Sequence, residues 1–244
     1  MNLTRDPSQV QADSSTLARL ESLLAPNLVH ERLRHGSDLW PLAVGQLVEV
    51  AGKGGGAGLS FAASFVRHAQ SRSQPCLWLS SCAKPFYPPD MAKSGVDLGK
   101  LPLLFLPTPQ DASLASARLL SSGGFDLLVW DLASWKSPPL TLETSLLARL
   151  NALTRHHRCT LLILTDKGER HPSLGCLIGL RLRVEAYPRD PARLQIQVVK
   201  DKRGAVGEGK IWSWRCELPE GLPSSAPFPR QETLRSGRNS KNGT

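Results

Sequence analysis

A run of glycines placed directly after a short apolar segment limits what this chain can fold into. Residues 51 to 60 read AGKGGGAGLS and follow Leu47-Val48-Glu49-Val50. Strand, glycine turn and helix in that order begin a βαβ unit, and the turn occupies the place of a phosphate-binding loop. Such a loop reads G-x-x-x-x-G-K-[ST]; its amides and lysine cradle phosphates and its hydroxyl holds magnesium. Counted from Gly52, Ala57 stands for the second glycine, Gly58 for the lysine and Leu59 for the hydroxyl residue. The scaffold of the loop is present and its chemistry is not.

The pattern then repeats. Leu59 to Gln70 has an amphipathic helical period, and CLWLSS (76 to 81) reads as a buried strand. PLLFL (102 to 106), a helix over 111 to 121 and FDLLVWD (125 to 131) follow. Leu142, Leu146, Leu147, Leu150 and Leu153 mark a packed helix, and CTLLILTD (159 to 166) a central strand. Apolar strands alternating with helices predict a mostly parallel sheet covered on both faces. Beyond Gly175 the segments LIGLRLRVEAYP, ARLQIQVVKDKRG and GKIWSWRCEL alternate apolar and polar positions between turns, which predicts antiparallel strands extending one sheet edge. The expected organisation is an N-terminal polar segment with a short helix over 1–40, whose leucine face spans 14 to 25, a core domain over 41–218, and a disordered basic tail over 219–244.

Composition narrows the partners. With 30 Lys and Arg against 21 Asp and Glu, the net charge of +9 favours nucleic acid, acidic protein or anionic lipid. The five cysteines, Cys76, Cys82, Cys159, Cys176 and Cys216, form no C-x-x-C pair, so neither a zinc site nor a disulfide framework is expected. Cys76, Cys159 and Cys176 sit in apolar stretches and read as structural. No segment approaches the roughly 18 consecutive apolar residues of a membrane span, and the N-terminus has no apolar leader. A cytoplasmic protein without membrane contact is expected.

Asp131 ends an apolar strand, the position from which an acid helps hold magnesium beside a phosphate-binding loop. Alone it reads as a strand terminator; together with the glycine loop it points to common ancestry with P-loop ATPases. A vestigial nucleotide site is therefore assigned to Gly52, Lys53, Gly54, Gly55, Gly56, Gly58, Ser60 and Asp131. Lys53 lies at the loop's beginning and cannot enter between terminal phosphates, so no cofactor is expected. His156 and His157 end a helix, where basic groups complement the dipole, and no third ligand accompanies them, so no metal is expected. Trp212 and Trp214 beside Arg183, Arg203 and Lys210 suit either base stacking or packing. Lys200, Lys202 and Arg203, with the tail residues Arg230, Arg235 and Arg238, complete the candidates for nucleic-acid or partner contact.

The order of features from about 40 to 215 resembles the RecA-like recombinase core. The resemblance rests on PLAVGQLVEVAG (41 to 52), KSGVDLGKL (93 to 101), ASARLLSSGGFDLLVWD (115 to 131) and QVVKDKRG (197 to 204). Within that superfamily the chain looks most like the ImuA-type group, small bacterial accessory factors of a damage-inducible mutagenesis complex. The resemblance implies an α/β, RecA-like three-layer core with a mostly parallel central sheet and an antiparallel C-terminal extension. It also implies a role in SOS mutagenesis and translesion synthesis. The implied partners are ImuB, a RecA protomer, the error-prone replicative-type polymerase and a second copy of the chain, with weak DNA contact at most. The chain departs from the family pattern in three places. It lacks the loop lysine, it has Ser81-Cys82-Ala83-Lys84 where a water-activating glutamate would stand, and it has Leu164-Thr165-Asp166-Lys167 without the polar pair that senses the γ-phosphate. These losses imply a non-catalytic protein. The rival readings are a DNA-dependent ATPase with a deviant loop and a SulA-like cell-division inhibitor.

Overall fold

The computed structural model describes residues 31–53, 56–81, 88–168, 170–188 and 190–216. The leucine-faced helix expected over 14 to 25 and the tail over 219–244 lie outside the described residues. Nine strands form one sheet: β1 (Glu31–Arg32), β2 (Leu47–Ala51), β3 (Cys76–Ser81), β4 (Leu103–Leu106), β5 (Leu127–Asp131), β6 (Thr160–Thr165), β7 (Leu180–Tyr187), β8 (Asp190–Asp201) and β9 (Ile211–Arg215). The helices are α1 (Trp40–Ala43), α2 (Gly56–Ser71), α3 (Pro88–Lys93), α4 (Pro109–Ser121) and α5 (Thr144–His157).

The strand order is β1-β9-β8-β7-β2-β6-β5-β3-β4. All pairings from β4 through β7 are parallel, whereas β8 runs antiparallel to both β7 and β9. The fold is α/β, a mostly parallel sheet with an antiparallel C-terminal extension, as the alternating pattern predicted, and it is consistent with the RecA-like three-layer core that the resemblance implies. Parallel strands need crossovers, and helices α2, α4 and α5 supply them.

Residue period decides which side chain meets which layer. On β2, Val48 and Val50 join a core with Phe61, Phe65 and Val66 of α2, while Leu47 faces the opposite core with Leu147 and Leu150 of α5. Strands β3, β5 and β6 divide in the same way: Trp78, Val129 and Leu162 go to the first core, and Leu79, Trp130 and Ile163 to the second. Each such Leu or Ile, fully withdrawn from water, contributes about 1.5–3 kcal/mol. The extension is buried differently. Leu182 and Val184, Leu194 and Ile196, and Trp212 and Trp214 all point into the first core. Several alternate positions on β7 to β9, such as Arg183, Gln195 and Arg215, carry polar side chains, while Ile211 at the start of β9 is buried.

Two features begin earlier than expected. The sheet already includes Glu31 and Arg32, which pair with Trp212 and Ser213, ten residues before the expected start of the core at 41. The turn Gly36–Leu39 and helix α1 then bury Leu39 and Trp40, so residues 31–40 are part of the domain. Local capping explains one helix start: Thr108 accepts from the Asp111 amide at 3.1 Å and Pro109 occupies the first turn of α4.

Candidate functional site

The glycine loop lies where the sequence placed it, between β2 and the N-terminus of α2, near the middle of the sheet. Gly52 has a steric reason to be glycine: a Cβ there would run into the Val184 carbonyl oxygen of β7. Its amide donates to the Thr165 carbonyl at 3.2 Å. Lys53 is exposed, and Gly54 and Gly55 lie outside the described residues. Gly56 opens α2, and Gly58 rests 3.8 Å from Val50 Cγ1, measured from an added Cβ. Leu59, at the magnesium-hydroxyl position, is 38% exposed. The Ser60 hydroxyl donates to the Gly56 carbonyl at 3.2 Å. The helix entry therefore offers backbone amides and apolar or absent side chains, which can hold an anion only weakly.

Asp131 ends β5 and is half-buried. β5 is not the strand next to β2, because β6 lies between them. The end of β5 is stitched to β3 through Ser134, whose hydroxyl donates to the Asp131 carbonyl at 2.7 Å and accepts from the Ser81 amide at 2.8 Å. Of residues 82 to 84, where a catalytic carboxylate was missing from the sequence, none is among those described.

The basic and aromatic candidates are dispersed rather than gathered on a surface. Trp212 and Trp214 are 4% and 7% exposed and sit in the first core, so of the two readings the sequence left open, packing holds and base stacking does not. They share one strand face, and that face is the inner one. The Lys200 ammonium turns back to the Gly175 and Cys176 carbonyls, both at 3.3 Å. Burial and the charge of Lys202 lower its pKa. Arg203 reaches the other end of β2 and donates to the Val44 and Gly45 carbonyls, each at 2.9 Å. Lys202 alone of these three remains exposed without such a tie. Arg230, Arg235 and Arg238 lie outside the described residues. Burial pushes the thiols of Cys76 and Cys159 up to about 11, which suits structural residues, whereas Cys176 is exposed, contrary to its apolar surroundings in sequence. Among the described residues no three His, Cys, Asp or Glu side chains gather to hold a metal, and no helix is long and apolar enough to cross a membrane.

The feature that sequence reading missed is Glu49. It stands inside the apolar run of β2 with no exposure, yet two basic side chains and two hydrogen-bond donors surround it. Lys167 Nζ lies 3.6 Å from its Oε1, and Arg181 Nε 3.5 Å from its Oε2. The Ser173 hydroxyl and Leu174 amide donate to Oε2 at 2.7 and 3.0 Å. Lys167 also donates to the Leu140 and Pro172 carbonyls, and Arg181 to the His171 carbonyl. Burial and the nearby Arg181 lower the Lys167 pKa, and Glu49 opposes them. The cluster pins the connection from β6 to β7 against the strand that leads into the glycine loop. A lone glutamate within a central-strand pattern was the available signal.

No family model matches the chain, and no curated protein matches it.

Proposed function

We propose that the chain is a non-catalytic RecA-like accessory protein of translesion synthesis in a DNA-damage response. In this reading it binds ImuB, and through it the error-prone polymerase, as a scaffold. The observation that carries the loss of catalysis is the first turn of α2, where Gly58 and Leu59 replace the lysine and hydroxyl that phosphoryl transfer requires. The Glu49 cluster supports it as well, because a connection held by buried ions is poorly suited to the movements of a DNA-responsive ATPase. The partner and pathway rest on the resemblance of the sequence motifs.

The outer parallel edge is the contact this reading favours. Among the described residues β4 ends the sheet, and Phe105 on it is 43% exposed. Open edges accept another chain's strand, and an exposed aromatic side chain supplies an anchor. Purified chain should capture ImuB, and Phe105→Asp should weaken that capture while circular dichroism stays unchanged. Failure of the wild-type chain to capture ImuB would sink the proposal. Calorimetry with magnesium and ATP tests the catalytic side: no heat of binding is expected, whereas micromolar binding with phosphate release stimulated by single-stranded DNA would favour the ATPase reading.

A further inference from the structure

A cavity of about 290 Å³ opens between α2, the turn at 34–37 and the end of β9. It lies away from the glycine loop and from Asp131, and of the nucleotide-site candidates only Ser60 reaches it. Its lining includes Arg34, Arg67 and Arg215 and, among the described residues, no carboxylate. Among the described residues Arg34 and Arg67 make no ion pair, while Arg215 meets Asp190 at 3.5 Å through side chains that are both partly in water. Asp38, next to the turn, directs its carboxylate to the Arg34 and His35 amides, both at 2.9 Å, and does not line the cavity.

The wall is built, not incidental. Gly36 lets the turn approach both other elements, since a Cβ there would stand 2.6 Å from Ser64 Oγ and 3.1 Å from Trp214 Cζ3. Arg67 is laid against a second glycine: its Cδ and Nε would be 3.2 Å from a Cβ on Gly95, whose φ of +82° glycine adopts without strain. His68 packs on Trp40 with ring centroids 5.1 Å apart, and its Nε2 is buried without a hydrogen-bond partner. Ser60 and Ser64 line the α2 side of the same space, and their hydroxyls donate to the Gly56 and Phe61 carbonyls of that helix.

Guanidinium groups that share one concavity repel each other until an anion enters, and their planar forks match the oxygens of phosphate in pairs. The volume is that of a small ligand group rather than of a flat protein contact. We infer that this cavity is a binding site for a phosphoryl group, a phosphate monoester or a phosphodiester, held by Arg34, Arg67 and Arg215. The inference stands independently of the proposed accessory role. It gives the chain's positive charge a defined place of action.

Thermal unfolding of the whole chain in sodium phosphate or pyrophosphate, against sodium chloride at equal ionic strength, tests it. Both phosphates should raise the midpoint, pyrophosphate more strongly, and Arg34→Gln with Arg67→Gln should remove most of that rise. Pyrophosphate affinity should fall about tenfold or more for each arginine lost. Ser60→Asp, near the favourable N-terminal end of α2, places a carboxylate at the cavity and should abolish the response in a folded protein. Competition then separates the sources: displacement by a short single-stranded oligonucleotide identifies a backbone phosphate, and displacement by a mononucleotide alone identifies a free phosphoester. Either result supports the site. Equal midpoints in phosphate and chloride, or a full response in the double variant or in Ser60→Asp, would overturn it.

Discussion

The parallel half of the sheet and its antiparallel extension solve the burial of a strand in two ways. Strands β2, β3, β5 and β6 are largely apolar on both sides because helices cover both faces, so every position but Asp131 at the end of β5 is buried. Strands β7 to β9 place even-numbered apolar residues in the first core and carry arginine and glutamine at several positions of the other face. The halves meet at β2 and β7, and there an apolar strand must sit beside a half-polar one. Glu49 and Arg181 are directly paired in register across this seam. The charge that the extension carries on its polar face is thereby met by a carboxylate inside the apolar strand. The lesson is that the buried ion cluster belongs to the joining of two kinds of sheet, and the glycine loop is built on its upper end through Gly52 and Val184.

Breaking the seam at its charge should have the largest effect. Glu49→Ala leaves Lys167 and Arg181 buried without their carboxylate and is expected to cost about 3–5 kcal/mol, read by urea denaturation. Replacing Glu49, Lys167 and Arg181 together by Leu, Met and Met should recover most of that loss, because no unpaired buried charge remains. A cost below about 1 kcal/mol for the single change would show that the two halves are joined by packing alone.

Steric separation of the same strands comes next. Gly52→Ala drives a methyl group against the Val184 carbonyl, which is backbone and cannot rotate away. A loss of about 1–3 kcal/mol is expected, with faster amide exchange along β2 and β7. Unchanged exchange there would show that the strands part without consequence.

Farther along the seam, Arg203→Ala removes two hydrogen bonds from the exposed turn after β8 to the carbonyls of Val44 and Gly45. About 1 kcal/mol is expected in a thermal melt. That turn is organised by Asp201, whose carboxylate accepts from the amides of Arg203, Val206 and Gly207. Burial pushes its pKa up, but these amides outweigh burial and hold it below 3.8. A carboxyl with a depressed folded pKa stabilises the fold above its unfolded value, and this contribution is lost as pH falls through the folded value. Stability should therefore decline below pH 3.8, and Asp201→Asn should lower stability at neutral pH and flatten that part of the acid limb.

Away from the seam, Lys53→Ala alters an exposed side chain on the loop and should change stability by no more than about 0.5 kcal/mol. The same variant should leave the response to magnesium and ATP as it is in the parent chain. A measurable fall in nucleotide affinity would return the loop to functional standing.

Periodicity alone was enough for the order of strands β2 to β6 and of helices α2, α4 and α5, since the apolar runs at 47–51, 76–81, 127–131 and 160–165 have almost no exposed face to reveal and the leucines of α5 repeat at the helical interval. The replacement of the loop lysine by Gly58 and of the hydroxyl by Leu59 was equally legible, because a motif is local and its absence can be counted along the chain. Tertiary structure decided the rest. Glu49 meets Ser173 across 124 residues, and Arg203 meets Val44 across 159, distances over which no local pattern carries information. The two tryptophans of β9 had an apolar side and a polar partner either way, and only the position of α2 beneath them made that side the core. The basic cavity likewise joins residues 34–37, 60–71 and 214–216, which are neighbours solely because β1 returns to pair with β9 while α2 crosses the same face. A chain encodes its elements in nearest-neighbour sterics and hydrophobic period; the partners of its charges follow from where those elements are packed.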